Sequence, residues 1–164
     1  MRSARQAAAR GDRSLRARAA MLVVALLLGA GAVAYERHAS ATKAQARGEA
    51  LFHGALAMPA QLATHQALLP PLATRCSNCH EVPTATPGRA AADPRPFANV
   101  LDRASLDAAR SRRGGPPSRF DATRLCTLLR TGVDPAQVML PETMPRYQAT
   151  DAQCFDLWAY LMTR

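Results

Sequence analysis

Apolar and polar residues are distributed unevenly along the chain. Ala19 to Tyr35 (AAMLVVALLLGAGAVAY) runs 17 residues without a charge, directly behind an arginine-rich stretch at residues 1–18. Glu36 to Ala46 is polar and alanine-rich and reads as a short tether. Thr42 to Phe52 predicts a helix stopped by Gly54, with Ser40 or Thr42 as its cap. Pro59, Pro70 and Pro71 among apolar neighbours make residues 55–75 a packed loop with a short helical piece. Prolines and glycines from Pro83 to Pro117 break residues 81–120 into loops, with one short helix near Pro96–Ala109. Asp121 is placed to cap a helix that runs to about Arg130 and ends at Gly132, with Leu125, Leu128 and Leu129 on one face. Thr150-Asp-Ala-Gln153 has the form of a capping box opening a last helix, whose expected buried stripe is Phe155, Trp158, Leu161 and Met162. No run of alternating strand pattern and no internal repeat occurs, so the fold class is mainly α.

The charge changes the picture less than its size suggests. The formal net charge is +9, but Arg2, Arg5, Arg10, Arg13, Arg16 and Arg18 face only Asp12 within the first 35 residues. The excess is concentrated in the leader, which removes the main support for nucleic-acid binding. Aromatic residues make up only 5% of the chain, so the core is small or is completed by a bound apolar group.

Arginines preceding an apolar run keep their side of it in the cytoplasm and send the rest of the chain to the opposite side. The run reaches the lower length limit for a tilted transmembrane helix and is slightly long for a signal-peptide core. Ala32-Val33-Ala34 and Ala39-Ser40-Ala41 both offer small-x-small cleavage sites. Because apolar residues continue to Tyr35, residues 19–35 are read as an uncleaved inner-membrane anchor with the working domain in the periplasm. Cleavage to a soluble periplasmic protein is the alternative. No twin-arginine pair precedes the run, which fits export in the unfolded state.

Cys76-Ser77-Asn78-Cys79-His80 is a C-x-x-C-H sequence, the signature of c-type haem attachment. On a helical turn, positions i, i+3 and i+4 share a face. Two thiols so spaced can each add to one vinyl group of the same porphyrin, and the histidine that follows can place a ring nitrogen on the iron. A redox dithiol favours a βαβ context that is missing here. A zinc site would need a second ligand pair, which Cys126 and Cys154 do not form.

With that motif, the chain resembles the small class I c-type cytochromes. Gly48-Glu-Ala-Leu51-Phe52 is similar to the family's N-terminal helix, and Leu157-Trp-Ala-Tyr160-Leu161 to its C-terminal helix. The resemblance covers residues 43–164 and implies a cytochrome c-like haem domain over residues 47–164. It implies one covalently bound haem c, His80 as an iron ligand, and crossing terminal helices in which Gly48 and Phe52 meet Leu157 and Tyr160. The 23 residues between Phe52 and Cys76 are more than compact members place there.

Class I members complete the iron with a methionine before the last helix, and Met144-Pro145 has that placement. Met139 is the rival, and His53 or His65 would give bis-histidine coordination at a lower potential. The second imidazole nitrogen of His80 is expected to donate to a backbone carbonyl, with Pro83, Pro87 and Pro96 in the segment that commonly supplies it. The resemblance also brings Cys126 and Cys154 near each other, as a disulfide or as two buried thiols. Arg89, Arg95, Arg103, Arg110, Arg112, Arg113 and Arg119 make the middle segment basic, suited to haem propionates or to an acidic redox partner.

The expected function is single-electron transfer between redox partner proteins on the non-cytoplasmic side, with no substrate chemistry of its own. A haem enzyme subunit (peroxidase or sulfur-compound oxidising) is the alternative. It would need an open iron position and acid–base groups such as His53, His65 or Glu142. A gas-binding haem sensor likewise needs an open iron.

Overall fold

The computed structural model describes residues 2–81 and 98–164, with the side chains of residues 2–20 and 22–24 outside that description. The chain divides into two compact units, Met1–Ala41 and Thr42–Arg164. Among the described residues there are five α-helices: α1 (Arg2–Phe52), α2 (Ser77–His80), α3 (Arg103–Asp107), α4 (Ala122–Thr131) and α5 (Asp151–Leu161). The fold is mainly α, as the hydrophobic pattern implies.

Helix α1 runs unbroken for 51 residues. The expected tether at residues 36–46 is therefore helical, and neither Ser40 nor Thr42 starts a helix. Ser40 instead donates its hydroxyl to the carbonyl of Glu36, one turn back, at 2.8 Å. The physical reason is composition: residues 36–47 hold four alanines with Glu36, Arg37, Lys43, Gln45 and Arg47, all good helix formers, and no proline or glycine to interrupt them. Gly54, in the left-handed region at φ 75°, follows its end as expected. In the first unit, Met21, Leu26, Leu27, Leu28 and Tyr35 are all exposed. Among the described residues no helix is long and apolar enough to cross a membrane, and part of the expected 19–35 anchor lies outside them.

In the second unit the core is built around the last turn of α1, α4 and α5. Gly48 lies directly against the carbonyl of Asp156, and a Cβ on it would also stand 2.7 Å from Cβ of Tyr160. Phe52, fully buried, sets its ring 5.6 Å from that of Tyr160. Beside this close approach Arg47 grips Asp156 with two hydrogen bonds of 2.6 and 2.7 Å, which gives the buried carboxylate a partner.

Helix α4 is capped by Asp121, whose side chain accepts from the Arg124 amide, and it ends at Gly132 in the left-handed region. Leu125, Cys126, Leu128 and Leu129 are its buried face. Helix α5 opens on the Thr150/Gln153 capping box, both halves formed. Its buried stripe matches the expected one at Leu161 and differs beside it: Cys154 and Leu157 also face the core, while Phe155 is 57% exposed and Trp158 and Met162 are half-buried. The rotation has a cause in the neighbouring helix. Cys154 is bonded to Cys126 of α4, with Cα atoms 5.3 Å apart, and that crosslink turns the 154/157/161 edge inward.

The other expected pieces are short. The helical piece of the 55–75 loop is a single 3-10 turn at Pro71–Thr74. The helix near Pro96–Ala109 is only α3, started by a reciprocal Asp102/Ser105 capping box, and residues 82–97 lie outside the described region. Two residues of extended chain, β1 (Ala60–Gln61), pair antiparallel with β2 (Arg146–Tyr147), Ala60 opposite Tyr147. That pairing sets the segment before α5 across the loop before α2.

Candidate functional site

Helix α2 is one turn long. The amides of Cys79 and His80 both donate back to the carbonyl of Cys76, at 3.2 and 3.0 Å. That turn brings Cys76, Cys79 and His80 to the wall of one cavity of about 1060 Å³. The volume lies at the top of the range of about 300–1,000 Å³ usual for cofactor-sized ligands. Leu106, Phe120, Leu125, Leu128, Leu157 and Leu161 supply apolar walls. Met144 and Pro145 line the same cavity, so all four expected site residues share it.

The cysteines at the turn are free thiols, Cys76 buried and Cys79 half-buried. Burial pushes the Cys76 thiol up to about 11, so it is neutral near pH 7.

The imidazole of His80 is fixed by its Nδ1, which lies 2.7 Å from the carbonyl of Asn99. A carbonyl accepts only, so Nδ1 carries the hydrogen and Nε2 presents its lone pair. Nε2 is buried and has no hydrogen-bond partner. Burial is the main cause that holds this imidazole below its ordinary range, with Arg113 and Arg164 acting in the same sense. The expected partners Pro83 and Pro87 lie outside the described residues, as does Pro96, and the acceptor is Asn99 instead. The reason is tertiary: the chain returns to the turn at Ala98, whose amide donates to the Cys79 carbonyl at 2.8 Å.

Met144 is half-buried against the core, whereas Met139 is 64% exposed and does not line the cavity. His53, His65 and Glu142 are likewise absent from its wall. His53 sits elsewhere, 3.2 Å from the Tyr160 hydroxyl and 3.6 Å from Glu81.

Of the basic residues singled out from the sequence, Arg110, Arg112 and Arg113 line the cavity. Arg89 and Arg95 lie outside the described residues. Arg112 has a structural task. Its guanidinium donates to the carbonyls of Ser105, Arg110 and Ser118 and stacks 5.0 Å from the Phe120 ring. Sequence alone gave no sign of this, since the carbonyls belong to the bridged pair Arg110 and Ser118 and to the middle of α3. Among the described residues no group of three or more histidine, cysteine, aspartate or glutamate side chains gathers to hold a metal ion, so a metal here would depend on a donor set of another kind.

Compared with known proteins, the chain matches no family model, no curated protein and no solved structure.

Proposed function

We propose that the chain is a monohaem c-type cytochrome that passes single electrons between redox partner proteins on the non-cytoplasmic side of a membrane. The observation that carries the reading is the state of His80. One ring nitrogen is held by Asn99, and the other is buried without a protein partner, on a residue lining a large cavity with leucine and phenylalanine in its walls. A buried ring nitrogen left without a partner is costly unless something else takes its lone pair. A neutral imidazole with its lone pair free is the form a metal ligand requires.

The rest of the donor set fits an iron porphyrin. Cys76 and Cys79 stand one helical turn apart in the cavity wall, where each S–H can add across one vinyl double bond to form a thioether. Met144 lines the same cavity and is the thioether offered to the sixth iron position. A bound haem would supply the one-electron iron couple. The protein's part would be to hold His80 and Met144 in place, exclude water with leucine and phenylalanine side chains, and so keep rearrangement small between oxidation states. The contacts of Gly48 and Phe52 with α5 agree with the helix crossing that the class I resemblance implies.

Residues 19–35 serve in this reading as the membrane anchor or the export leader. Support comes from six arginines ahead of the run and from apolar side chains that stay exposed on α1. The disulfide between Cys126 and Cys154 fits an oxidising compartment.

The axial state tests the function. The oxidised protein is expected to show a sulfur-to-iron charge-transfer band that Met144→Ala abolishes. A high-spin ferric spectrum in the unmodified protein would reject the carrier and favour a haem enzyme or gas sensor.

A further inference from the structure

Met144 sits on a loop whose geometry is imposed by one side chain. The guanidinium of Arg146 donates one terminal nitrogen to the carbonyl of Met144 and the other to the carbonyl of Leu140, the latter at 3.2 Å. The amide of Met144 donates to the carbonyl of Pro141 at 3.1 Å, and that of Leu140 to Gly132 at 2.7 Å. Met144 is thus held at both ends of its backbone, and the segment 140–146 is closed on itself.

The guanidinium has a prepared seat. Gly132 ends α4 in the left-handed region at φ 75°, and a Cβ there would fall on the Nε, Cζ and terminal nitrogen of Arg146. Arg146 is half-buried, so its guanidinium gives up part of its contact with solvent. A partly buried charge is held in place where hydrogen bonds offset its desolvation. Here the two carbonyls of the Met144 loop do so.

From this arrangement we infer that Arg146, seated on Gly132, is a positioning residue that holds Met144 at the cavity and keeps competing ligands from the sixth iron position. The inference rests on the reading of Met144 as the iron ligand. No covalent step is involved; the side chain acts through the backbone of the loop that bears the ligand.

The test uses the full haem-loaded chain in the ferric state, titrated with imidazole and followed by the sulfur-to-iron band. Arg146→Gln is expected to bind imidazole at least about tenfold more tightly, the effect of losing one charge-assisted hydrogen bond from the loop. Arg146→Lys, which keeps the charge but not the fork, should fall between the two. Gly132→Ala should imitate Arg146→Gln, and combining them should add little. Arg130→Gln is the matched control: Arg130 also braces a carbonyl, that of Ala149 at 2.9 Å, but not on this loop. Its imidazole affinity should stay at the unmodified value.

An Arg146→Gln affinity within about twofold of the unmodified protein overturns the inference. So does an equal gain in Arg130→Gln, which would mean general loosening. Should Arg146→Gln fail to accumulate, Arg146→Lys and Gly132→Ala carry the same comparison. Absence of the band in the unmodified protein would instead bring down the reading of Met144, and the positioning role with it.

Discussion

The hydroxyl of Tyr147 donates to the backbone carbonyl of Thr74 at 2.9 Å, across 73 residues of sequence. Tyr147 follows Met144 by three residues, and Thr74 precedes Cys76 by two. The bond therefore ties the methionine side of the cavity to the cysteine side. Burial is the largest cause that pushes the Tyr147 phenol above its ordinary range, so it remains a donor under all physiological conditions.

Tyr147→Phe keeps the ring and removes that donor. The buried Thr74 carbonyl then loses its partner, at a cost of about 1–3 kcal/mol. Urea unfolding of the haem-loaded protein should show the loss as a lower midpoint with unchanged slope. An unchanged midpoint would mean that water replaces the phenol.

The crosslink between Cys126 and Cys154 joins residues 28 apart and pins α4 to α5. Both helices line the cavity, α4 through Leu125, Leu128 and Leu129 and α5 through Leu157 and Leu161. Replacing both cysteines with serine should lower stability by about 2–4 kcal/mol. Thermal unfolding with and without reductant is the check: the unmodified protein should shift downward on reduction, and the variant should not respond.

Asp102 accepts from the Ser105 amide at 2.7 Å, and this bond is the largest cause that holds its carboxyl below the ordinary value of 3.8. A carboxyl depressed on folding contributes stability that is complete above the unfolded-state value and lost as pH falls through the folded one. Stability should therefore decline below about pH 4 in part through this group. Asp102→Asn retains a cap that does not titrate, and its unfolding midpoint should fall less steeply over that interval. Equal slopes would assign the acid sensitivity to other carboxylates.

Legibility in the sequence followed the range of the interactions. The ends of α4 were readable because Asp121 and Gly132 act on amides and carbonyls within four residues of themselves. The α5 capping box is local in the same way. The rotation of α5 was not readable, because Phe155 and Cys154 compete for the inside and the winner is fixed by a cysteine on another helix. The turn at 76–80 and Met144 could be singled out by type and spacing. The groups that orient them could not: Asn99 reaches His80 by a chain reversal, and the seat for Arg146 is a glycine 14 residues earlier that otherwise reads only as a helix stop. The polar segment after residue 35 misled for a different reason. Its residues suit a tether and a helix equally well, and helix propensity prevailed.

The most direct measurement is the pyridine haemochrome spectrum of the denatured protein, purified from a host that matures c-type cytochromes. A covalently attached haem with both vinyl groups converted to thioethers is expected, and at most one thioether in Cys79→Ala. A colourless mature protein, or two thioethers persisting without Cys79, would contradict it.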